Sequence, residues 1–557
     1  MSTFYSELLS ILQKKKLTIK QYDQLKRKLA AKYQLKEVPT NILVLLHTDK
    51  KQFIKLKEFL LSKPIRSISG VAPVAIMTKP FPCPHGKCIM CPGGVNSAFG
   101  NVPQSYTGTE PATMRGIRNN FDPYLQVMNR LEQYVIQGHN AEKVELIIMG
   151  GTFPSFPLDY QEEFIKYTFK ALNDFSRWFY KKGELNYLKF KKFFELPADI
   201  EDEERTKRLQ KKLLQQKKTC NLISEQKKNE TSHIRCVALC IETRPDYGLL
   251  KQGNQMLKLG CTRVELGIQS VYEETLKRIQ RGHTAKDTIE SIRILRDLGF
   301  KVAGHYMPGL PGLNIKKDLE GMKRLFSNPD YRPDMLKLYP CMVAKGTKLY
   351  KEYQQGKFTP LNADQAAKLI SRFKSFVPEY CRIMRIQRDI PTKQLAAGVE
   401  MTNLRQYLQQ KYPVKCRCIR CREPKNQSIS GRDVKIKVLK YEASQGKEFF
   451  ISVEDTKNDL LIGFLRLRFP SRSLRKEITL NSAIVRELHV YGTATAIGEE
   501  GSVQHRGWGR KLMQKAEEIA RKHSKNKMVI ISGVGVREYY RKLKYKLEGP
   551  YMIKKIK

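Results

Sequence analysis

Three cysteines stand together at Cys83, Cys88 and Cys91, within FPCPHGKCIMCPGG, spaced C-x4-C-x2-C ahead of a Pro-Gly-Gly turn. Thiolates this close on one loop suit zinc or an iron–sulfur cluster. A closed zinc site needs a fourth protein ligand, and the stretch offers only His85. A four-iron cluster held by three cysteines keeps one iron open, able to bind and reduce a small molecule. Both readings stand on these residues alone. A second triad, Cys416, Cys418 and Cys421 in KCRCIRCRE, points to tetrahedral zinc with one ligand from elsewhere, for which Cys341 is the candidate. The neighbouring Arg417, Arg420 and Arg422 could reach phosphate.

Between residues 71 and 390, β-like apolar runs alternate with helical stretches: Val71–Met77, Val144–Met149, Cys236–Ile241, Arg263–Ile268, Lys301–Met307 and Met335–Tyr339. Six strands with helices between them predict a partial parallel (βα)6 barrel, whose chemistry belongs at the C-terminal strand ends. Polar residues gather there: Gly150, Gly151 and Thr152, then Glu242 and Arg244, then Gln269 and Ser270, then His305 to Gly312. Glycines let the backbone approach a ligand, and Glu242 with Arg244 could hold an amino acid's ammonium and carboxylate. The charged stretch at 181–235 reads as a solvated helical insertion or a flexible arm, without chemistry of its own.

From about residue 432 the pattern changes to long alternating strands ending in Ile484–Tyr491, IVRELHVY. Gln504, His505, Arg506, Gly507, Trp508, Gly509 and Arg510 then open a helix. Such a glycine turn aims free N–H groups and the positive helix end at an anion, suiting the pyrophosphate of coenzyme A. A further strand follows, then Tyr539 and Tyr540, which is the order of parts in GNAT acetyltransferases. In that fold the strand at Glu487, Leu488, His489 and Val490 would face the pantetheine arm, and one tyrosine the thioester sulfur. Core packing is the other use of two adjacent tyrosines.

Composition bounds the partners. Across 557 residues, 102 Lys and Arg against 55 Asp and Glu give a net charge of +47, the balance of a polyanion-binding surface. Residues 1–70 carry 15 basic against 5 acidic side chains. Their helices hold Lys14, Lys15, Lys16, Lys26, Arg27 and Lys28 in tight groups, which favour phosphate contact over a merely solvated face. A capping box at Thr18 starts one helix, with Ile19, Tyr22, Leu25 and Leu29 on its apolar face. Arg382, Arg385, Arg388 and Lys393 read as a second polyanion surface. No apolar run approaches the roughly 20 residues of a membrane span, so a cytoplasmic protein with no membrane partner is expected, its twelve cysteines thiols or metal ligands.

The chain therefore reads as α/β multidomain: a basic helical region at 1–70, a barrel at 71–390, a cysteine-rich linker at 391–431 and a GNAT-like domain at 432–557. In the words CPHGKCIMCPGG, QSYTGTEPATMRG, IMGGTFPS, IETRPDY, VELGIQS, GHYMPGLPG, RELHVYGTA, QHRGWGRKLM and ISGVGVREYYRKLKY it closely resembles the family of the Elongator catalytic subunit and its single-subunit archaeal and bacterial relatives. The resemblance implies a radical S-adenosylmethionine enzyme that puts a carboxymethyl group on carbon 5 of the wobble uridine (position 34) of tRNA. Cys83, Cys88 and Cys91 would then hold a 4Fe-4S cluster, acetyl-CoA would supply the carbon unit, and a deoxyadenosyl radical would take hydrogen from the acetyl methyl. The anticodon stem-loop would lie across both domains. An electron-donor protein, and Elongator-type accessory subunits or a homodimer, are the further partners to expect. A protein lysine acetyltransferase with a vestigial barrel explains only the C-terminal half, and a non-catalytic RNA-binding scaffold only the charge.

Overall fold

The computed structural model describes residues 2–63, 69–199, 202–425, 427, 429, 433–491 and 507–556. Its first sheet has seven parallel strands in sequential order: β1 (Ala72–Met77), β2 (Lys143–Met149), β3 (Arg235–Thr243), β4 (Arg263–Gln269), β5 (Lys301–Tyr306), β6 (Met335–Leu338) and β7 (Arg382–Arg385). The seventh strand corrects the expected six. RIMR carries charge at both ends, so it does not read as an apolar run. It lies on the sheet edge, where only one flank must be apolar, and Ile383 alone is fully buried.

The second sheet runs β8-β9-β10-β11-β12-β14-β13, with β8 (Val434–Ala443), β9 (Gly446–Asp455), β10 (Leu460–Phe469), β11 (Ser482–Val490), β12 (Lys527–Ile531), β13 (Lys546–Glu548) and β14 (Tyr551–Lys555). Strands β11 and β12 pair in parallel only from Ser482 to Val485, and then part. The helix Trp508–Lys522 packs its Leu512, Met513 and Ala516 into the core of this sheet.

The N-terminal helices Ser2–Lys14, Ile19–Lys32, Asn41–Leu46 and Lys50–Leu56 share the barrel's apolar core. The Thr18 capping box is present, Gln21 N donating to Thr18 Oγ1 at 3.3 Å and Thr18 N to Gln21 Oε1 at 2.9 Å. Tyr22 and Leu29 are buried, but Ile19 stands in solvent at the start of the helix, before its apolar face meets the core.

The described residues of the stretch 181–235 are largely helical, as one of its two readings expected, and pack one face on the barrel instead of forming a free arm. They form a hairpin (Tyr180–Lys181 with Glu184–Leu185) and the helices Tyr187–Phe193, Glu203–Gln216 and Leu222–Asn229. Phe190, Phe193 and Phe194 pack on Phe179, and Tyr187 stacks on Phe53 at 4.2 Å. Arg205 is buried, its guanidinium on Glu132 and on the carbonyl of Phe194. The charged residues hide a buried face, Tyr187 and Phe190 in the first helix and Arg205, Leu209 and Leu213 in the second, and that face decides the packing.

The two sheets meet through a buried lattice of charge. Arg486 bridges Asp334 (2.6 and 2.7 Å) and Glu448 (2.8 Å), Arg468 bridges Asp297 (2.8 Å) and Glu448 (3.0 Å), and Arg466 meets Glu487 (2.8 Å). Asp334 and Asp297 belong to the barrel half and the three arginines to the second sheet. Each carboxylate takes several charge-assisted bonds, which offsets the cost of removing it from water. Gly533 adds close contact at the same junction: a Cβ there would lie 2.0 Å from the carbonyl oxygen of Val237 on β3. No helix of the described residues is long and apolar enough to cross a membrane.

Candidate active site

The loop after β1 brings Cys83, Cys88 and Cys91 to the C-terminal end of the barrel, where all three line a cavity of about 1700 Å³. The His85 ring sits between two of them, Nδ1 3.0 Å from Cys83 Sγ and Nε2 3.1 Å from Cys88 Sγ. Polar hydrogens from the barrel address the sulfurs: Gln104 Nε2 lies 3.0 Å from Cys91, Ser105 Oγ 3.6 Å from Cys91, Thr152 Oγ1 3.7 Å from Cys83 and Arg281 Nη1 3.8 Å from Cys88. Burial pushes the Cys83 and Cys88 thiols up, and Arg281 opposes it at both. Sulfur donors without a carboxylate, surrounded by N–H and O–H groups, fit an iron–sulfur cluster better than a hard cation. Gln104, Ser105 and Arg281 carry no cysteine-like signature, and only the fold brings them to the sulfurs.

The strand ends supply the rest of the barrel wall. Gly151 and Thr152 line the cavity, whereas Gly150 is packed away from it: at φ 128°, a Cβ there would meet Thr78 Oγ1 at 2.1 Å. Glu242 Oε2 accepts from Tyr106 OH at 3.2 Å, and its Oε1 lies 3.4 Å from Lys337 Nζ. Arg244 is held by Asp246 through two bonds of 2.9 and 2.6 Å, so only its buried Nη1 is left unpartnered. Gln269, at φ 65°, likewise keeps a buried Oε1 without a partner. A buried donor and acceptor that lack protein partners are what a bound polar ligand would satisfy.

The second sheet closes the same cavity. Leu488, His489 and Val490 line it just where β11 and β12 have parted, with Gly507, Trp508, Gly509 and Arg510. Gly507 caps the helix at φ 75° with no side-chain cap bond, so the first N–H groups of a fifteen-residue helix are not taken by a capping side chain. Gln504, His505 and Arg506 lie outside the described residues. The Tyr539 hydroxyl is buried without a partner, and a Cβ on Gly509 would come within 2.8 Å of it. Tyr540 is the packing member of the pair, within the sheet's core at 6.2 Å from Tyr545, although it borders the cavity. Glu487 is committed to Arg466 and to Lys301 (3.5 Å); burial pushes its carboxyl up, but these two cations outweigh it and hold it at about 2.

Sequence reasoning missed what aims the helix Arg537–Lys542, which carries Tyr539. Glu230, fully buried at the end of the charged insertion, takes Arg537 at 3.1 Å and Arg541 at 2.7 Å. Only the fold brings residue 230 to residue 537.

The second cysteine triad is assembled. The sulfurs of Cys416, Cys418 and Cys421 lie within 4.8 Å of one another, and Cys421 reaches the cavity wall. Cys341 does not join them. It follows β6 over the first cysteine loop, its N–H bonded to Pro308 O at 2.7 Å and its side chain packed among Cys88, Ile89 and Cys91. Part of the cysteine-rich segment is packed on the barrel: Leu395–Ala397 pairs with Val343–Ala344, and the helix Leu404–Lys411 packs on Ala363–Lys374. Arg422 is buried on Glu454 at 2.8 Å, which removes it from any phosphate role.

Of the basic groups expected on RNA, Lys14, Lys15, Lys16, Arg27 and Lys28 are exposed. Lys26 is buried, its Nζ 2.9 Å from Asn41 Oδ1 and over the Tyr22 ring. Arg385, exposed, and Arg388, half-buried, line the central cavity, bonded to Asp389 and to the Ser105 carbonyl.

Residues 81–325 match the radical SAM superfamily and residues 333–412 the radical SAM C-terminal domain. A Methanocaldococcus infernus protein named tRNA uridine(34) acetyltransferase is 47% identical over 531 residues, 93% of this chain and 92% of that protein. Elongator complex protein 3 of Homo sapiens is 38% identical over 551 residues, 96% and 93% of the two chains. This chain belongs to the Elongator complex protein 3 family. A solved structure within that family, the archaeal Methanocaldococcus infernus Elp3 with an N-terminal deletion (1–46), superposes with a TM-score of 0.71 at 42% identity, covering 88% of this chain and 100% of the other. The family's radical SAM domain implies a 4Fe-4S cluster and S-adenosylmethionine, for which the loop of Cys83, Cys88 and Cys91 has the fitting donor set.

Proposed function

We infer that this enzyme modifies tRNA at the wobble uridine, placing a carboxymethyl group on carbon 5 of the base with acetyl-CoA as the carbon source. The observation that carries the reading is the single cavity: the cysteine loop, the polar strand ends and the acyl-binding elements of the second sheet all open into one space. Its roughly 1700 Å³ exceeds the range of about 300–1,000 Å³ usual for one small ligand, so there is room for more than one.

Cys83, Cys88 and Cys91 would hold the cluster, which when bound supplies the electron that cleaves S-adenosylmethionine to a carbon radical able to break an unactivated C–H bond. Gln104, Ser105, Thr152 and Arg281 present hydrogens to the sulfurs and so favour their anionic form. Glu242, Arg244 Nη1 and Gln269 Oε1 supply the polar groups for the methionyl end.

On the opposite wall, the N-terminal end of Trp508–Lys522 receives the coenzyme's pyrophosphate, and the Tyr539 hydroxyl donates to the thioester. Burial keeps that hydroxyl neutral, and hence a donor. The wall itself keeps bulk water from the radical chemistry. Cys416, Cys418 and Cys421 offer three thiolates to a zinc ion, which would fix the segment between the two halves. The exposed lysines of the N-terminal helices carry the tRNA backbone while the wobble nucleotide, turned out of its stack, enters the cavity.

The test is anaerobic incubation of the reconstituted full-length protein with unmodified tRNA, S-adenosylmethionine, a reductant and acetyl-CoA labelled at the methyl carbon. Nucleoside mass spectrometry should find labelled 5-carboxymethyluridine. Labelled acyl-lysine and an unmodified nucleoside pool would replace this reading with protein acetylation.

A further inference from the structure

Four of the charged or ionisable side chains on the barrel strands meet inside the barrel, where packed apolar layers are the rule. Glu242 is on β3, Glu265 on β4, His305 on β5 and Lys337 on β6, and all four line the cavity. Lys337 and His305 are register partners on neighbouring strands, so they face inward side by side. The carboxylates of Glu242 and Glu265 and the His305 ring are close enough to resemble a metal site. The cation is already there, however: Lys337 Nζ contacts Glu265 and lies 3.4 Å from Glu242. Burial opposes the charge on Glu265, but Lys337 and Arg263 outweigh it and hold the carboxylate well below its usual range. Arg263 Nη2 stands 2.9 Å from it.

An ionised Glu265 settles the polarity of the neighbouring imidazole. His305 Nε2 lies 2.7 Å from Glu265 Oε2, so Nε2 carries the hydrogen and donates it. In the neutral ring Nδ1 is then an acceptor, and it has no hydrogen-bond partner among the described residues. Lys337 has three N–H groups and two carboxylate partners, which leaves one hydrogen for the cavity. Side by side on β5 and β6, the barrel therefore presents one acceptor and one donor. The Tyr339 ring, edge-on to His305 at 5.4 Å, gives this pair an aromatic border.

We propose that Lys337 and His305 read the Watson–Crick edge of the wobble base and select uracil over cytosine. Uracil offers an acceptor at O4 beside a donor at N3–H, the complement of Lys337 N–H beside His305 Nδ1. Cytosine reverses both groups, setting its amino hydrogens against the ammonium and its bare N3 against bare Nδ1. Gripping O4 and N3 leaves carbon 5 uncovered towards the cavity. Glu265 is a positioning residue, fixing the imidazole tautomer and the ammonium. This assignment rests on the reading of the chain as a wobble-uridine enzyme.

The test is equilibrium binding of anticodon stem-loops, identical except for uridine or cytidine at the wobble position, to the reconstituted full-length protein. Wild-type protein should prefer uridine by about tenfold or more. Lys337→Met should reduce that preference to within about twofold, with the salt dependence of binding unchanged because the phosphate contacts remain. Since Lys337→Met alone leaves Glu265 short of a partner, the double variant Lys337→Met with Glu265→Gln, checked for a cooperative melt, is measured beside it. Persistent preference for uridine in either folded variant overturns the assignment. Equal wild-type affinity for both stem-loops overturns it while leaving the modification reading in place; failure to bind either one overturns both.

Discussion

At the residue scale the chemistry sits on side chains whose partners explain why they are free to act. Tyr539 and Tyr540 are neighbours in sequence with opposite uses, one hydroxyl buried without a partner and one ring in the core. Tyr539→Phe removes only the hydroxyl proposed to donate to the thioester, so acetyl-CoA turnover should fall about tenfold with the melting temperature unchanged. Tyr540→Ala should instead cost about 3–5 kcal/mol of stability, read by denaturant titration. Equal effects of both on turnover and melting would remove the distinction. Cys88→Ala should abolish the visible absorbance of the reconstituted cluster and leave tRNA affinity intact. Which residues would line the cavity was largely legible beforehand, because thiols, glycine turns and polar strand ends have type and spacing. What they bind within the protein was not. Arg244 is half satisfied by its own loop and Glu487 is neutralised by Arg466, facts set by contacts that no local pattern encodes.

At the scale of elements, the seven-stranded barrel and the splayed sheet follow from apolar periodicity, and most strands fall where alternation puts them. Three elements escaped it. The short β7 has too few apolar residues to signal, the insertion's aromatic face is diluted by its lysines, and Leu395–Ala397 owes its order to tertiary pairing. The insertion matters most, because its Glu230 holds the helix that carries Tyr539. Glu230→Gln should weaken acetyl-CoA binding several-fold by loosening that helix, since a hydrogen bond to a charged group contributes about 1.5–3 kcal/mol. Cluster assembly, monitored by absorbance, should be unaffected. An unchanged acetyl-CoA affinity would show that β12 and Gly533 aim the helix on their own.

Across the whole molecule, the buried lattice at Asp334, Glu448 and the three arginines welds the barrel and the second sheet into one cavity wall. Asp334→Asn leaves Arg486 and its neighbours short of charge, and should cost about 3–5 kcal/mol in denaturant unfolding. Acid should act through the same joint. Burial pushes the Asp334 and Glu487 carboxyls up, but the cations around them outweigh that, holding Glu487 at about 2 and Asp334 well below its usual range. Depressed folded values mean that their stabilisation is complete above the ordinary carboxylate range near pH 4 and is lost as pH falls towards 2. Unfolding midpoints between pH 5 and 2.5 should therefore drop faster for wild-type protein than for Asp334→Asn, and parallel curves would remove the lattice from acid sensitivity. Net charge announced a polyanion partner, but not that some of its arginines would turn inward to the cavity and the joint. On the proposed reading, this joint makes one reaction space, in which a radical formed on the barrel side would take hydrogen from an acetyl methyl held on the other. Acetyl-CoA deuterated at the methyl group, supplied with S-adenosylmethionine and unmodified tRNA, tests it directly by mass spectrometry of the 5′-deoxyadenosine released. Deuterium should appear in that product. Modified nucleoside forming alongside 5′-deoxyadenosine without deuterium would place the hydrogen donor elsewhere and contradict the account.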